Sequence, residues 1–166
     1  MMTIGRTWPL LLAILSVSSG CAAQSAAASG QVSPPASPAP INKTIINDRA
    51  AFQRLLGNGG ISLQWISWET RGNLVADYST DLLRLHGGQS TPDGKGKLMI
   101  DGVVTRVDAS EFTFVGRIDM TDTPDIGRHC ARDGEMTFRV TQNRKYWRLQ
   151  QMEVCDGLTD YVDIYF

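Results

Sequence analysis

"HCARDGEMTFRVTQNRKYWRLQQMEVC", residues 129–155, decides how the chain is read. A cysteine stands near each end, and the turn-forming pair Gln142-Asn143 lies in the middle. Taken as the loop of a hairpin, that pair sets Phe138 opposite Trp147, Met136 opposite Leu149 and Val140 opposite Lys145. Side chains alternate faces along a strand. Met136, Phe138, Val140, Trp147 and Leu149 then share one apolar side, and Thr137, Arg139, Tyr146, Arg148 and Gln150 share a polar one. A one-residue slip would turn the apolar set into water, so which residues face inward is strongly specified. The same register sets Cys130 opposite Cys155. Opposed residues of an antiparallel pair lie about 4.5–5.5 Å apart at Cα, within reach of a disulfide. A Cys130–Cys155 bridge is expected. The competing redox or metal reading has little to stand on, because there is no CxxC and the only nearby imidazole is His129.

Working outward, segments rich in β-branched and aromatic residues recur: "GISLQWISW", "NLVADYS", "LLRLHG", "KLMIDGVVTRV", "EFTFVGRIDM" and, at the end, "TDYVDIYF". Gly, Asn, Asp and Pro punctuate them. No helical pattern lies between them, so parallel βαβ units are not expected. The fold class is mainly β: an antiparallel sheet of about eight strands, a small barrel or a sandwich, with one short N-terminal helix and one disulfide. A meander of consecutive hairpins closes most simply as a barrel. Asp101-Gly102 in "MIDGVV" reads either as a hairpin turn or as a bulge in one long strand. The helix is "NDRAAFQRLLG", capped by Asn47 or Asp48, with Phe52, Leu55 and Leu56 on one stripe and Gly57 as a left-handed stop. Phe112, Phe114, Phe138, Trp65 and Trp147 are candidates to fill the interior.

The chain has 166 residues, net charge −1 and 20% charged residues, which suits one globular domain. No basic stripe marks a nucleic-acid footprint, and no nucleic-acid partner is expected. In "RKYWRL", residues 144–149, alternation sends Trp147 inward and leaves Tyr146 and Arg148 together outside, where a cation–π contact is the plain reading.

The N-terminal region is of another kind. "MMTIGRT" carries one basic side chain, Arg6, "WPLLLAILSV" is apolar, and "SSGC" brings small residues ahead of a cysteine. That order is the plan of an export signal, and the apolar run is shorter than the ~20 residues a membrane span needs. Residues 1–20 are expected to be a signal peptide. "AAQSAAASGQVSPPASPAPINKT" holds four of the seven prolines, and residues 21–42 read as a disordered Ala/Ser/Pro-rich tether, reaching on the order of 60 Å. Residues 43–166 form the single β domain.

"SVSSGCAAQ" resembles the lipobox of bacterial lipoproteins, through Gly20 and Cys21 with small residues upstream; Ser18 stands where leucine is commonest. The resemblance implies cleavage before Cys21 and acylation of its thiol and amine. Ala22, where an aspartate would retain the protein at the inner membrane, implies the outer membrane. Plain secretion, with cleavage at one of the alanines from Ala22 to Ala28, is the alternative, leaving a soluble periplasmic or secreted protein. A multiply acylated cysteine anchors stably. With Cys21 taken by lipid, the remaining cysteines make an even pair in an oxidising compartment.

No catalytic constellation is found. GxSxG is missing, "HGGQSTPDGKGK" lacks the GxxxxGK[ST] order and reads as a flexible hairpin loop, and His86 and His129 have no spacing that makes a metal site. No cofactor is expected. The terminal strand places Tyr161, Asp163 and Tyr165 on one face, a contact patch if that face is outside. The expectation is a non-enzymatic binding module, anchored in the outer membrane and meeting an envelope protein or polymer through loops 86–96 and 121–130 or through the tyrosine face. In architecture alone it resembles small lipoprotein inhibitors of lysozyme, which are anchored β-barrels with a disulfide. The competing functions are a carrier of a small apolar ligand inside the barrel, which needs a cavity, and an envelope enzyme, which needs a cleft where polar groups converge.

Overall fold

The computed structural model describes residues 40–166, and the expected signal peptide, most of the tether and Cys21 lie outside them. The chain runs β1 (Ile45–Ile46), α1 (Arg49–Leu56), β2 (Ile61–Leu63), β3 (Asn73–Asp77), β4 (Leu83–Ser90), β5 (Lys97–Val107), β6 (Glu111–Thr121), β7 (His129–Arg139), β8 (Tyr146–Leu149) and β9 (Val162–Tyr165). Eight strands form one sheet in the order β2-β9-β8-β7-β6-β5-β4-β3, each neighbour antiparallel. β1 adds a short parallel piece beside the end of β5, held by Thr44, whose hydroxyl donates to Val104 O at 2.6 Å and accepts from Leu83 N–H at 2.8 Å.

The sheet curls until its two ends meet in a nearly closed barrel. Ile61 and Gly72 exchange backbone hydrogen bonds at 3.2 and 2.8 Å across the seam. Close approach there requires glycine. Gly60 has φ +99, and a Cβ on it would run into Gly72 O, while a Cβ on Gly72 would run into Gly88 O. Beyond that bridge Gln89 closes the gap with its side chain. Its Oε1 accepts from Leu63 N–H at 2.7 Å, and its Nε2 donates to Thr70 O at 2.6 Å.

Alternation fills the interior. Leu83 and Leu85, Leu98, Ile100 and Val104, Phe112 and Phe114, Ile118 and Met120, Met136 and Phe138, Trp147 and Leu149, and Val162 and Ile164 point inward and are buried. Asp101-Gly102 lies within the continuous strand β5, and the bulge falls between Val104 and Arg106, so Val107 replaces Arg106 on the inner side. The rings stack: Phe112 on Phe138 at 5.0 Å, with Trp147 edge-on to Phe112 at 5.6 Å. Trp65 does not join them; it is 37% exposed at the barrel mouth.

The antiparallel register sets two ends. Loops 64–72, 91–96, 122–128 and 150–161 share one; α1 lies across the other, following Ile46 where it pairs with Val107. Asp48 caps the helix, accepting from Ala51 N–H at 2.6 Å, and Ala51, Phe52 and Leu55 are buried. Gly57 follows it with φ −93, so the helix stops without a left-handed residue. "HGGQSTPDGKGK" is less loop than expected, because β4 continues to Ser90 and only 91–96 turn, braced by Gly96 N–H donating to Thr91 Oγ1 at 2.9 Å.

Candidate functional site

The Cys130–Cys155 disulfide is present, with Cα atoms 5.9 Å apart. It forms by a different route from the one the hairpin register suggests. β7 and β8 pair Phe138 with Leu149 and Arg139 with Arg148, a slip of two residues. The even slip keeps every side chain on its expected face. The connection widens to 140–145, with Gln142 at φ 58. β8 ends at Leu149, and the chain then leaves the sheet, so Cys155 sits in an irregular segment that returns over β7.

That segment brings charge into the barrel mouth. Arg132 occupies an inward position of β7, between Cys130 and Met136, and is almost fully buried. Asp160, with 0% exposure, accepts from Arg132 at 2.7 Å, from Arg128 at 3.1 Å and from the Trp65 indole N–H at 2.9 Å. Arg132 also donates to Met152 O at 3.2 Å, and Arg128 reaches Asp156 at 3.1 Å. Burial works against the charge of Arg128, and the Asp160 and Asp156 carboxylates outweigh it, holding its pKa above the ordinary value. Two buried guanidiniums thus share one buried carboxylate, a grouping that persists only if the geometry is kept. These residues hold the mouth shut. They lie beside the disulfide, Asp160 Oδ2 being 4.0 Å from Cys130 Sγ.

The outer face of β8 and β9 carries a second assembly. Arg148 donates from Nε and Nη2 to the two oxygens of Asp163, each at 2.7 Å. The fork-to-fork geometry is the strong form of this pair. Three rings surround the guanidinium: Tyr161 at 4.1 Å, Tyr146 at 5.2 Å and Trp68 at 5.7 Å. Arg71 lies over Tyr165 at 3.8 Å, and Arg144 over Tyr146 at 5.6 Å. Burial pushes the Asp163 carboxyl above the usual carboxylate range, with Arg148 pulling the other way.

The expected patch of Tyr161, Asp163 and Tyr165 therefore changes in one member. Both tyrosines are half-buried at the surface, but Asp163 has 0% exposure and serves as the footing under Arg148. The surface is presented by Tyr146, Tyr161, Tyr165, Trp68, Arg71 and Arg144. The Tyr146–Arg148 contact follows from alternation alone. Trp68 and Arg71 arrive from the 64–72 loop, and no local pattern placed them here.

Elsewhere the chemistry is sparse. His86 lies on β4 and His129 on β7, with two strands between them, and His129 Nε2 pairs with Asp119 at 2.9 Å. Among the described residues no group of three or more His, Cys, Asp and Glu side chains is placed to hold a metal ion. A shallow, open depression of about 220 Å³ lies on the outside, lined by Ile45, Thr105, Arg106, Thr113 and Glu135. A ligand inside the barrel would have to displace Phe112, Phe114, Phe138 and Trp147, of which none is more than 1% exposed.

The model of the PM1083 family matches residues 43–166. A Pasteurella multocida (strain Pm70) protein named Uncharacterized protein PM1083 is 40% identical over 116 residues, covering 68% of this chain and 74% of that protein. No solved structure matches.

Proposed function

The chain belongs to the PM1083 family, and from that footing we propose that it is an envelope lipoprotein, held at the outer membrane through acylated Cys21, that acts as a non-enzymatic binding module. Its contact surface is the arginine and aromatic face of β8 and β9. The observation that carries this reading is the set of rings around Arg148, with Trp68 left 50% exposed beside them. Trp, Tyr and Arg are the residues on which binding energy concentrates at interfaces. The face is rigid before any partner arrives, because β9 is paired on both edges and Arg148 is fixed by Asp163. Preorganisation of that kind lowers the entropy lost on association.

Support for the anchor comes from the leader, the Gly20-Cys21 junction and the long Ala/Ser/Pro-rich tether behind it. A disulfide in the domain agrees with an oxidising compartment. The test is expression of the full chain in its own host with an alkyne-tagged fatty acid. The chain should carry label in the outer-membrane fraction, and Cys21→Ser should lose the label and become soluble. The same preparation should capture a saturable envelope component that a Trp68→Ala, Arg71→Glu double variant releases. Unlabelled chain in the cytosol with its leader attached contradicts the anchor; capture unchanged in the double variant contradicts the face.

A further inference from the structure

We propose that the partner of this face is an acidic glycan, a polymer of sugar rings bearing carboxylates. The inference rests on the binding reading above and names its ligand class. Charge gives the first reason. Arg71 and Arg144 lie over rings and make no ion pair among the described residues, while Arg148 is neutralised internally by Asp163. The face therefore presents fixed cations and buries its own acid. Shape gives the second. β8 lies between β7 and β9, and β9 between β8 and β2, so no strand edge is open here for an added peptide strand. The surface is the convex outside of a barrel, which has no groove for an amphipathic helix. What it offers is two pairs of aromatic plates, tilted within each pair: Tyr146 and Tyr165 are 5.5 Å apart at 56°, and Trp68 and Tyr161 are 6.3 Å apart at 41°. Flat plates suit the C–H faces of sugar rings. Two of the four plates carry a guanidinium beyond Arg148, Arg71 at Tyr165 and Arg144 at Tyr146, and these suit carboxylates borne on the sugar rings, since the planar fork of arginine matches a carboxylate.

The test uses the full chain in detergent and titrates it with polygalacturonate, following tryptophan fluorescence and heat. Two comparators separate the components of the idea: methyl-esterified polygalacturonate keeps the rings and removes the charge, and poly-L-glutamate keeps the charge and removes the rings. Polygalacturonate should bind at least about tenfold more tightly than either comparator, a difference of about 1.4 kcal/mol. Trp68→Ala and Arg71→Glu should each weaken it by about tenfold or more without lowering the melting temperature. Lys97→Glu, an exposed change on β5, should leave it within about twofold. Equal binding of poly-L-glutamate would make the face a general polyanion site and overturn the proposal. Failure of polygalacturonate to bind, or binding indifferent to Trp68→Ala, would overturn it too. If polygalacturonate fails while the envelope capture described above still depends on Trp68 and Arg71, only the ligand class falls and the binding face stands.

Discussion

The two ends of the barrel are closed by opposite means. At one, α1 sets Ala51, Phe52 and Leu55 against the rings, Phe52 meeting Tyr78 edge-on at 4.9 Å. At the other, Arg132 and Arg128 converge on Asp160, and a disulfide pins the segment that carries it. The apolar closure is non-directional, so it tolerates a change of shape at constant volume. The ionic closure depends on three polar groups keeping their angles, so it tolerates almost nothing. The difference teaches where rigidity is concentrated. The chain concentrates its buried ion pairs at the end from which Trp68 is presented, and closes the far end mainly by burial.

The contrast can be broken by mutation. Asp160→Ala leaves the buried Arg132 guanidinium without a carboxylate and Arg128 with only the exposed Asp156, and should cost about 4 kcal/mol in denaturant unfolding, with Asp160→Asn recovering only a minor part. Replacing Cys130 and Cys155 together by alanine should cost about 3 kcal/mol, for a bridge of sequence separation 25, and should raise amide exchange first in residues 150–160. At the helix end Leu55→Met should cost less than about 1.5 kcal/mol. A Leu55→Met penalty equal to that of Asp160→Asn would erase the distinction.

How legible each end was in the sequence follows the same division. The helix, its Asp48 cap and its buried stripe come from a spacing of three and four, and the strands from alternation, both local signals. The disulfide was readable from two cysteines that the expected hairpin sets opposite each other. Its reason was not, because the slip of two residues and the excursion of 150–160 depend on where β8 stops pairing. Asp160 and Arg128 gave no local sign, since their partners lie 28 and 32 residues apart along the chain. Arg132 gave one: it sits in the inward phase set by Met136 and Phe138, where a charge needs a buried partner. The binding face was half legible. Tyr146 and Arg148 share a face by alternation, and Tyr161 and Tyr165 do likewise. Asp163 could not be seen as buried, because the Arg148 it pairs with is itself packed against Trp68 from a distant loop.

The smallest predicted effects concern pH, and they sharpen the contrast between buried and exposed acids. Arg117 holds Asp119 below the usual carboxylate range, with His129 adding to it. Its contribution is present above about pH 4 and is lost as pH falls through the folded pKa, so Asp119→Asn should flatten the acid limb of stability by a few tenths of a kcal/mol. Asp163 has the opposite sign, because burial raises its pKa. Protonation is favoured in the folded state, so its contribution is present at low pH and is lost as pH rises through the folded pKa. Asp163→Asn should therefore make the loss of stability on acidification steeper than in the parent chain.

The central claim is that the molecule meets its partner at the Trp68 face while α1 only closes the barrel. Photo-crosslinking in the native envelope tests it most directly, with a photoreactive residue placed at Trp68 in one full-length chain and at the exposed Gln53 of α1 in another. The account predicts a discrete adduct from position 68 that excess unlabelled chain competes away, and none from position 53. Equal adducts from both positions, or an adduct from position 53 alone, would contradict it.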